Sequence, residues 1–376
     1  MPSYGDTVKV TLAGDMMTPM RVKKLANEYG RKEEFYYGSF LQSLRPLVQS
    51  ADLAFANLET PVAPSEPVPP APFVFNAPKS LLSGLKWIGF DVLSVANNHT
   101  MDQTELGVFE TLKSVERAGL TSVGAGVDRK SALAGRVFDV RGMKVGFLAF
   151  TTFINRGSQK ALQAQTVYIN LAERKKDWIE AVSKMRPKVD VLFLSIHWGT
   201  EYSDRPAPWQ EALARELHEK GVDVIVGHHP HVLQPAKWFV DKSGRKKLTL
   251  YSIGNLVSNQ SFDYVHGQSP FTAGNTRDSV LVQLEIDKTG VKKFSYYPLW
   301  IDNWFGPEQG IQTVNIPQEV KRLEQEIKGL RASPKKTFLL TRRQMLMDRW
   351  GMIYRSLFPG ANLPLASNRA ADKPAN

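Results

Sequence analysis

There is no cysteine anywhere in the 376 residues of the chain. That excludes disulfides, thiolate nucleophiles and sulfur-ligated metals, so a bound metal must be held by nitrogen and oxygen. It also removes the redox argument for a compartment, because a chain without thiols is at ease in an oxidising or a reducing one. No run of about eighteen apolar residues occurs, so no segment reads as a membrane-spanning helix. The first residues, Met1 to Asp6, lack the basic and apolar regions of a signal peptide. The formal net charge of +11 raises nucleic acid as a partner, but its distribution argues against one. Residues 317 to 376 hold twelve Lys and Arg against five Asp and Glu, which is +7 of the +11, so the excess sits mainly in the tail.

Histidine is scarce, with seven in the chain, yet three of them fall in Val224-Ile225-Val226-Gly227-His228-His229-Pro230-His231. An apolar run that stops at a glycine and is followed by crowded imidazoles suits a metal better than a core. Other apolar runs end in the same way. Val8 to Ala13 reads as a strand ending at Gly14-Asp15, and Ala51 to Ala56 as one ending at Asn57-Leu58-Glu59. Phe90 to Ala96 ends at Asn97-Asn98-His99, and Val189 to Ile196 at His197-Trp198-Gly199-Thr200-Glu201-Tyr202. Parallel strands of one sheet present their carboxyl ends on one edge, so these side chains are expected to converge. Two carboxylates, an amide and three or four imidazoles are enough for two divalent ions of the Zn, Mn or Fe kind.

Between these runs, Leu41 to Val48, Leu106 to Ala118, Glu173 to Met185 and Trp209 to Lys220 are spaced as helices. On the last of these His218 falls among charged neighbours and is expected to be a solvated surface residue. Pro61 to Pro72 carries six prolines and reads as a stiff surface loop over the site. Val137 to Val140 and Lys144 to Phe150 pair as a hairpin, and residues 155 to 170 read as a polar loop. Val280 to Ile286 and Lys292 to Pro298 alternate as strands of a second sheet. His266, in a polar loop without a neighbouring ligand, reads as incidental. Val320 to Leu330 and Thr337 to Leu357 are helical and basic; packing on their own domain is favoured over lying on a membrane surface. The end, from Ala366, reads as disordered.

Taken in order, Gly14-Asp15, Asn57-Leu58-Glu59, Ala96-Asn97-Asn98-His99, His197-Trp198-Gly199-x-Glu201-Tyr202, Gly227-x-His229-Pro230-His231-Val232 and Tyr251-Ser252-Ile253-Gly254-Asn255 resemble the CapA-like capsule-synthesis family. That family is associated with poly-γ-glutamate production and is similar in fold to calcineurin-like metallophosphoesterases. The resemblance covers roughly residues 6 to 300. It implies an α/β protein, a four-layer αββα metallophosphatase-like sandwich over residues 1–300, with a basic, mostly helical extension over 301–376. Asp15, Glu59, Asn98, His197, His229 and His231 match metal ligands, for one or two divalent ions. His99 matches the proton donor to the leaving group, with Glu201 orienting His197 or acting as a base. Asn57, Arg205 and Asn255 are candidates for binding substrate, Arg205 through an anionic group. Met17 stands where the phosphoesterases have a histidine, which removes a nitrogen from one metal position.

The reaction expected is hydrolysis or transfer at a phosphate ester or a γ-glutamyl amide. One alternative is a non-catalytic accessory protein that binds the polymer or its synthase; another is a metal-independent acid/base enzyme such as a peptide epimerase. The expected partners are an anionic polymer or small anionic substrate, a capsule synthase complex, and a membrane surface through the C-terminal helices. Family members usually work outside the cytoplasmic membrane behind an N-terminal anchor, so an extracytoplasmic or membrane-associated site is expected.

Overall fold

Alternating β-branched and apolar residues from Val8 onward form β1 (Val8–Met16), buried at every position but one. The computed structural model describes residues 7–30, 36–155, 168–169, 175–304 and 310–361. Along the chain follow β2 (Leu53–Leu58), β3 (Val92–Ser94), β4 (Thr121–Val123), β5 (Ala125–Gly126), β6 (Arg136–Val140), β7 (Met143–Thr151) and β8 (Tyr168–Ile169). Then come β9 (Val191–His197), β10 (Val224–His228), β11 (Leu233–Val240), β12 (Lys246–Ile253), β13 (Asn255–Val257), β14 (Asp278–Asp287), β15 (Gly290–Trp304) and β16 (Gly310–Asn315).

The first sheet has the order β16-β15-β14-β1-β2-β3-β4, with β13 also paired to β1, and the second the order β11-β12-β10-β9-β7-β6. Their inner faces meet in one core, where Val10, Leu12 and Phe55 of the first sheet join Val145, Phe147, Phe193 and Val226 of the second. Phe147 stacks between Phe55 and Phe193, with ring centroids 5.8 and 5.0 Å away. Each such fully buried ring contributes about 1.5–3 kcal/mol of transfer free energy. Outside the first sheet, helices Ser80–Ile88 and Thr104–Arg117 pack on residues such as Ala54, Ala56 and Leu93. Outside the second, helices Lys175–Met185 and Pro208–Glu219 pack on Leu192, Leu194 and Ile225. The result is the helix–sheet–sheet–helix sandwich expected from the sequence.

Three expectations are corrected. Residues 280–286 and 292–298 do not begin a second sheet: β14 runs antiparallel to β1, with Val10 opposite Leu284, and so belongs to the first. Alternation identifies a half-buried strand but not its neighbour. The single sheet edge expected to carry the site is also absent, since β1, β2 and β3 lie in one sheet and β9 and β10 in the other. Finally, His218 is not solvated: it is buried, with Nδ1 donating to the Val222 carbonyl at 2.9 Å and Nε2 2.7 Å from the Thr249 hydroxyl. Its helix turns that position toward β12, where a polar partner satisfies each ring nitrogen.

The first sheet continues past residue 300, because β15 reaches Trp304 and β16 pairs with it, Trp300 opposite Val314. Helices Ile316–Lys328 and Pro334–Leu357 follow, N-capped by Asn315 and Ser333 and each with proline in the first turn. Their Val320, Leu323, Leu346 and Ile353 join Trp300 and Phe294 in the core between the sheets. These helices therefore pack on their own domain. Among the described residues no helix is long and apolar enough to cross a membrane. Of the loop read over 155 to 170 only Asn155, Tyr168 and Ile169 are described, and the end from Ala366 lies outside the described residues.

Candidate functional site

Close approach of backbones brings the strand ends together. A Cβ on Gly14 would lie 2.0 Å from the Gly254 carbonyl oxygen, and one on Gly227 would lie 1.9 Å from that of Tyr251. Only glycine fits at either point, and the residue that follows each enters the pocket. Asp15 lies level with Asn57 across β1 and β2, and His228 level with His197 across β10 and β9.

Asp15 is fully buried and saturated. Its Oδ1 accepts from Asn57 Nδ2 at 2.9 Å and from His228 Nδ1 at 2.8 Å, and its Oδ2 accepts from the His229 amide at 3.2 Å. Burial pushes its pKa up, but hydrogen bonds and charge from His228 and His231 outweigh this and hold it well below the usual carboxylate range. Glu59 is the opposite case. It is also fully buried, yet neither carboxylate oxygen has a hydrogen-bond partner among the described residues. His197 Nε2 and His231 Nε2 each stand 3.7 Å from Glu59 Oε1. Burial, then the charges of Asp15 and Glu201, push the Glu59 pKa well above its ordinary value.

Two of the histidines, His197 and His229, are kept neutral. Burial, then repulsion from His229, lowers His197 well below its ordinary value, and burial followed by repulsion from His231 lowers His229 to about 3. His231 Nδ1 has only acceptors beside it, Asn255 Oδ1 at 3.0 Å and Asp15 Oδ2 at 3.4 Å. Nδ1 therefore carries a proton, and Nε2 is turned toward Glu59. His229 and His231 sit at φ +97° and +58°, and Tyr202 beside them at +64°. Left-handed backbone at three non-glycine residues is strain of the kind that collects at functional sites.

A second group stands at the end of β3. His99 Nδ1 donates to Asp102 Oδ2 at 2.7 Å, and Phe75 stacks on the imidazole with centroids 4.1 Å apart. Asp102 Oδ2 also accepts from the amide of Phe75, three residues beyond the proline-rich segment Pro61 to Pro72. Asn155 reaches over this pair, its amide nitrogen 3.5 Å from His99 Nε2 and its amide oxygen 3.4 Å from Asn98 Nδ2.

These donors fit a divalent ion. Ligand atoms lie within 4.8 Å of one another in three sets: Glu59, His197 and His229; Asp15, Glu59 and His231; and Glu201, His229 and His231. A buried carboxylate without partners beside neutral imidazoles lacks only a cation. Asn98 is adjacent, its Oδ1 2.8 Å from His197 Nε2. Other candidates stand differently. Asn57 and Asn255 are fully buried and hold Asp15 and His231 in place. Glu201 is exposed and faces His229 and His231, whereas the ring nitrogens of His197 face Asn57 and Asn98. Arg205 is exposed, and Met17 is buried. Asp102 and Asn155 were not singled out from sequence. The first had a usable signal, an acid three residues after His99 in a turn; the second had none.

Fold and pocket together define a two-sheet α/β protein with a histidine and carboxylate pocket able to hold metal, formed where the ends of both sheets meet. A family described as "Bacterial capsule synthesis protein PGA_cap" matches residues 9–260, and the chain belongs to that family. It is 31% identical to the capsule biosynthesis protein CapA of Bacillus anthracis over 299 residues, covering 78% of this chain and 67% of the relative. It is 29% identical to the PGA biosynthesis protein CapA of Bacillus subtilis (strain 168), covering 78% of this chain and 72% of the relative. Among solved structures, 5'-nucleotidase from Candida albicans SC5314 aligns over 75% of this chain and 51% of its own, with a TM-score of 0.41 and 12% identity. That likeness is distant, and the architecture is defined by the two sheets themselves.

Proposed function

We propose that the pocket is a divalent-metal-dependent hydrolase or transferase centre, acting on a phosphate ester or a γ-glutamyl amide in the synthesis of capsule or poly-γ-glutamate. The observation that carries this reading is Glu59, whose two unpaired oxygens are buried between His197 and His231. Glu59, His197 and His229 would hold one ion, and Asp15, Glu59 and His231 a second. Such an ion, when bound, supplies Lewis acidity and a water of lowered pKa. Asn57 and His228 fix the Asp15 carboxylate, and Asn255 fixes the tautomer of His231. His99 works through Nε2, because Asp102 accepts from Nδ1 and stabilises the imidazolium. Protonated, it delivers that proton to the departing oxygen or nitrogen, while Phe75 keeps water from one face of the ring. Arg205, which is exposed, would supply a charge to an anionic substrate group.

Metal analysis of the purified protein, with phosphatase and peptidase assays and Asp15→Ala and His229→Ala as controls, tests this. Metal bound in stoichiometric amount and lost in the variants supports it; no metal and no metal-stimulated turnover overturns it.

A second reading is favoured by the His99–Asp102 pair, which is complete without metal: acid/base chemistry at a peptide α-carbon, as in an epimerase. Deuterium uptake from solvent without bond cleavage would single it out. The basic C-terminal helices suit an anionic polymer as partner in either case, through contacts that weaken with salt.

A further inference from the structure

Arg349, in the C-terminal helix Pro334–Leu357, is completely buried. Its guanidinium takes both oxygens of Asp278 at the start of β14, with Nε 2.8 Å from Oδ1. It also donates to the Phe271 carbonyl at 2.7 Å and to Asn275 Oδ1 at 3.0 Å. Four hydrogen bonds from its three nitrogens are thus directed at the short segment Phe271–Asp278, and Phe271 lies under the cation, 4.3 Å from ring centroid to guanidinium carbon. That segment returns to the pocket. The Thr276 carbonyl accepts from Asn255 Nδ2 at 2.9 Å, and Asn255 Oδ1 accepts from His231 Nδ1 at 3.0 Å. The Thr276 carbonyl, together with Gln260 Oε1 at 2.9 Å and the His231 carbonyl at 3.3 Å, therefore holds the Asn255 amide with its oxygen toward the His231 ring. Both Arg349 and this segment lie beyond the residues 9–260 that match the family.

We propose that Arg349 is a positioning residue: the C-terminal helix clamps residues 271–278, so that Thr276 helps hold Asn255 and Asn255 locks the ring of His231 with its Nε2 toward Glu59. The clamp rests on the metal-centre reading only for its consequence in metal affinity; the hydrogen-bonded state of His231 is independent of it. A bidentate, fully buried arginine held by four groups on one short segment has a fixed geometry that lysine cannot reproduce.

The test uses the full chain with nitrogen-labelled histidine and follows the Nδ1 proton of His231 in a proton–nitrogen correlation spectrum, assigned with His231→Gln. In the unaltered protein this proton is expected to be sharp and protected. In Arg349→Lys it is expected to broaden or vanish, and manganese affinity to weaken by about tenfold or more. Because removing one member of a buried pair can unfold the chain, Arg349→Met combined with Asp278→Leu is measured as well. The double variant removes the clamp without stranding a charge, so it is expected to fold while His231 remains unprotected. A folded Arg349→Lys or double variant with an unaltered His231 proton and unaltered manganese affinity overturns the proposal. If the unaltered protein takes up no manganese or zinc, the metal reading fails, and the His231 proton still decides the clamp.

Discussion

The Nδ1 of His99 and the Oδ2 of Asp102 lie 2.7 Å apart across a single turn, both buried, with Phe75 stacked over the imidazole. Asp102 fixes the tautomer of His99 and would stabilise its charged form. Replacing it with asparagine keeps the shape and removes the charge. For an enzyme that uses His99 as its proton carrier, Asp102→Asn is expected to lower turnover by about 10²–10⁴-fold. Metal content should be unchanged, as measured by elemental analysis of the same sample.

Both oxygens of the buried Glu59 carboxyl are without hydrogen-bond partners among the described residues. Manganese or zinc at about a hundred times its dissociation constant should stabilise the protein by about 2.7 kcal/mol. Thermal unfolding would register this as a rise in Tm that a chelator reverses. Glu59→Gln should lose that rise and, metal-free, unfold no earlier than the unaltered protein, since it no longer buries a carboxylate without partners.

His218 titrates out of the folded state. Burial lowers its pKa from about 6.5 to about 4, so the native protein prefers it neutral, and the unfolded chain binds its proton first as pH falls. Its contribution is complete above about pH 6.5 and is lost as pH falls toward 4, by roughly 3 kcal/mol at most. Denaturant unfolding at a series of pH values should show this slope, and His218→Gln should flatten it.

At the opposite end of the second sheet, Asp223 accepts from Arg186, Arg245 and Lys247, each at 2.7 Å, with Lys247 almost wholly buried. Asp223→Ala leaves that ammonium only its longer contact with Asp241, at 3.4 Å, and should cost about 3 kcal/mol. Lys247→Met, which removes the charge and keeps the stem, should cost much less. Equilibrium unfolding of the two variants decides between them.

Local chemistry was legible in the chain. Strands that end in Asp15, Glu59, Asn98, His197 and His229 announce a site because buried strands do not otherwise terminate in ligands, and a chain without cysteine leaves nitrogen and oxygen donors. The layers followed from the resemblance those motifs carry. Long-range pairing was not legible. Whether Val280 to Ile286 joins β1 or another sheet depends on hydrogen bonds to residues 270 positions away in the chain, which alternation does not encode. His218 looked solvated because its helical neighbours are charged, and only its contact with Thr249 across the sheet explains its burial.

By itself, then, the sequence determined the donor types, their order, and the two glycines whose lack of a side chain lets the backbones meet. The tertiary structure alone decided that the candidate ligands come from two facing sheets, that Asn57 and Asn255 are spent holding Asp15 and His231, and that a basic C-terminal helix grips the segment Phe271–Asp278 through Arg349. The reason is physical: a side chain's identity fixes what it can bond to, but which partner it meets is set by distances that exist only once the chain has packed.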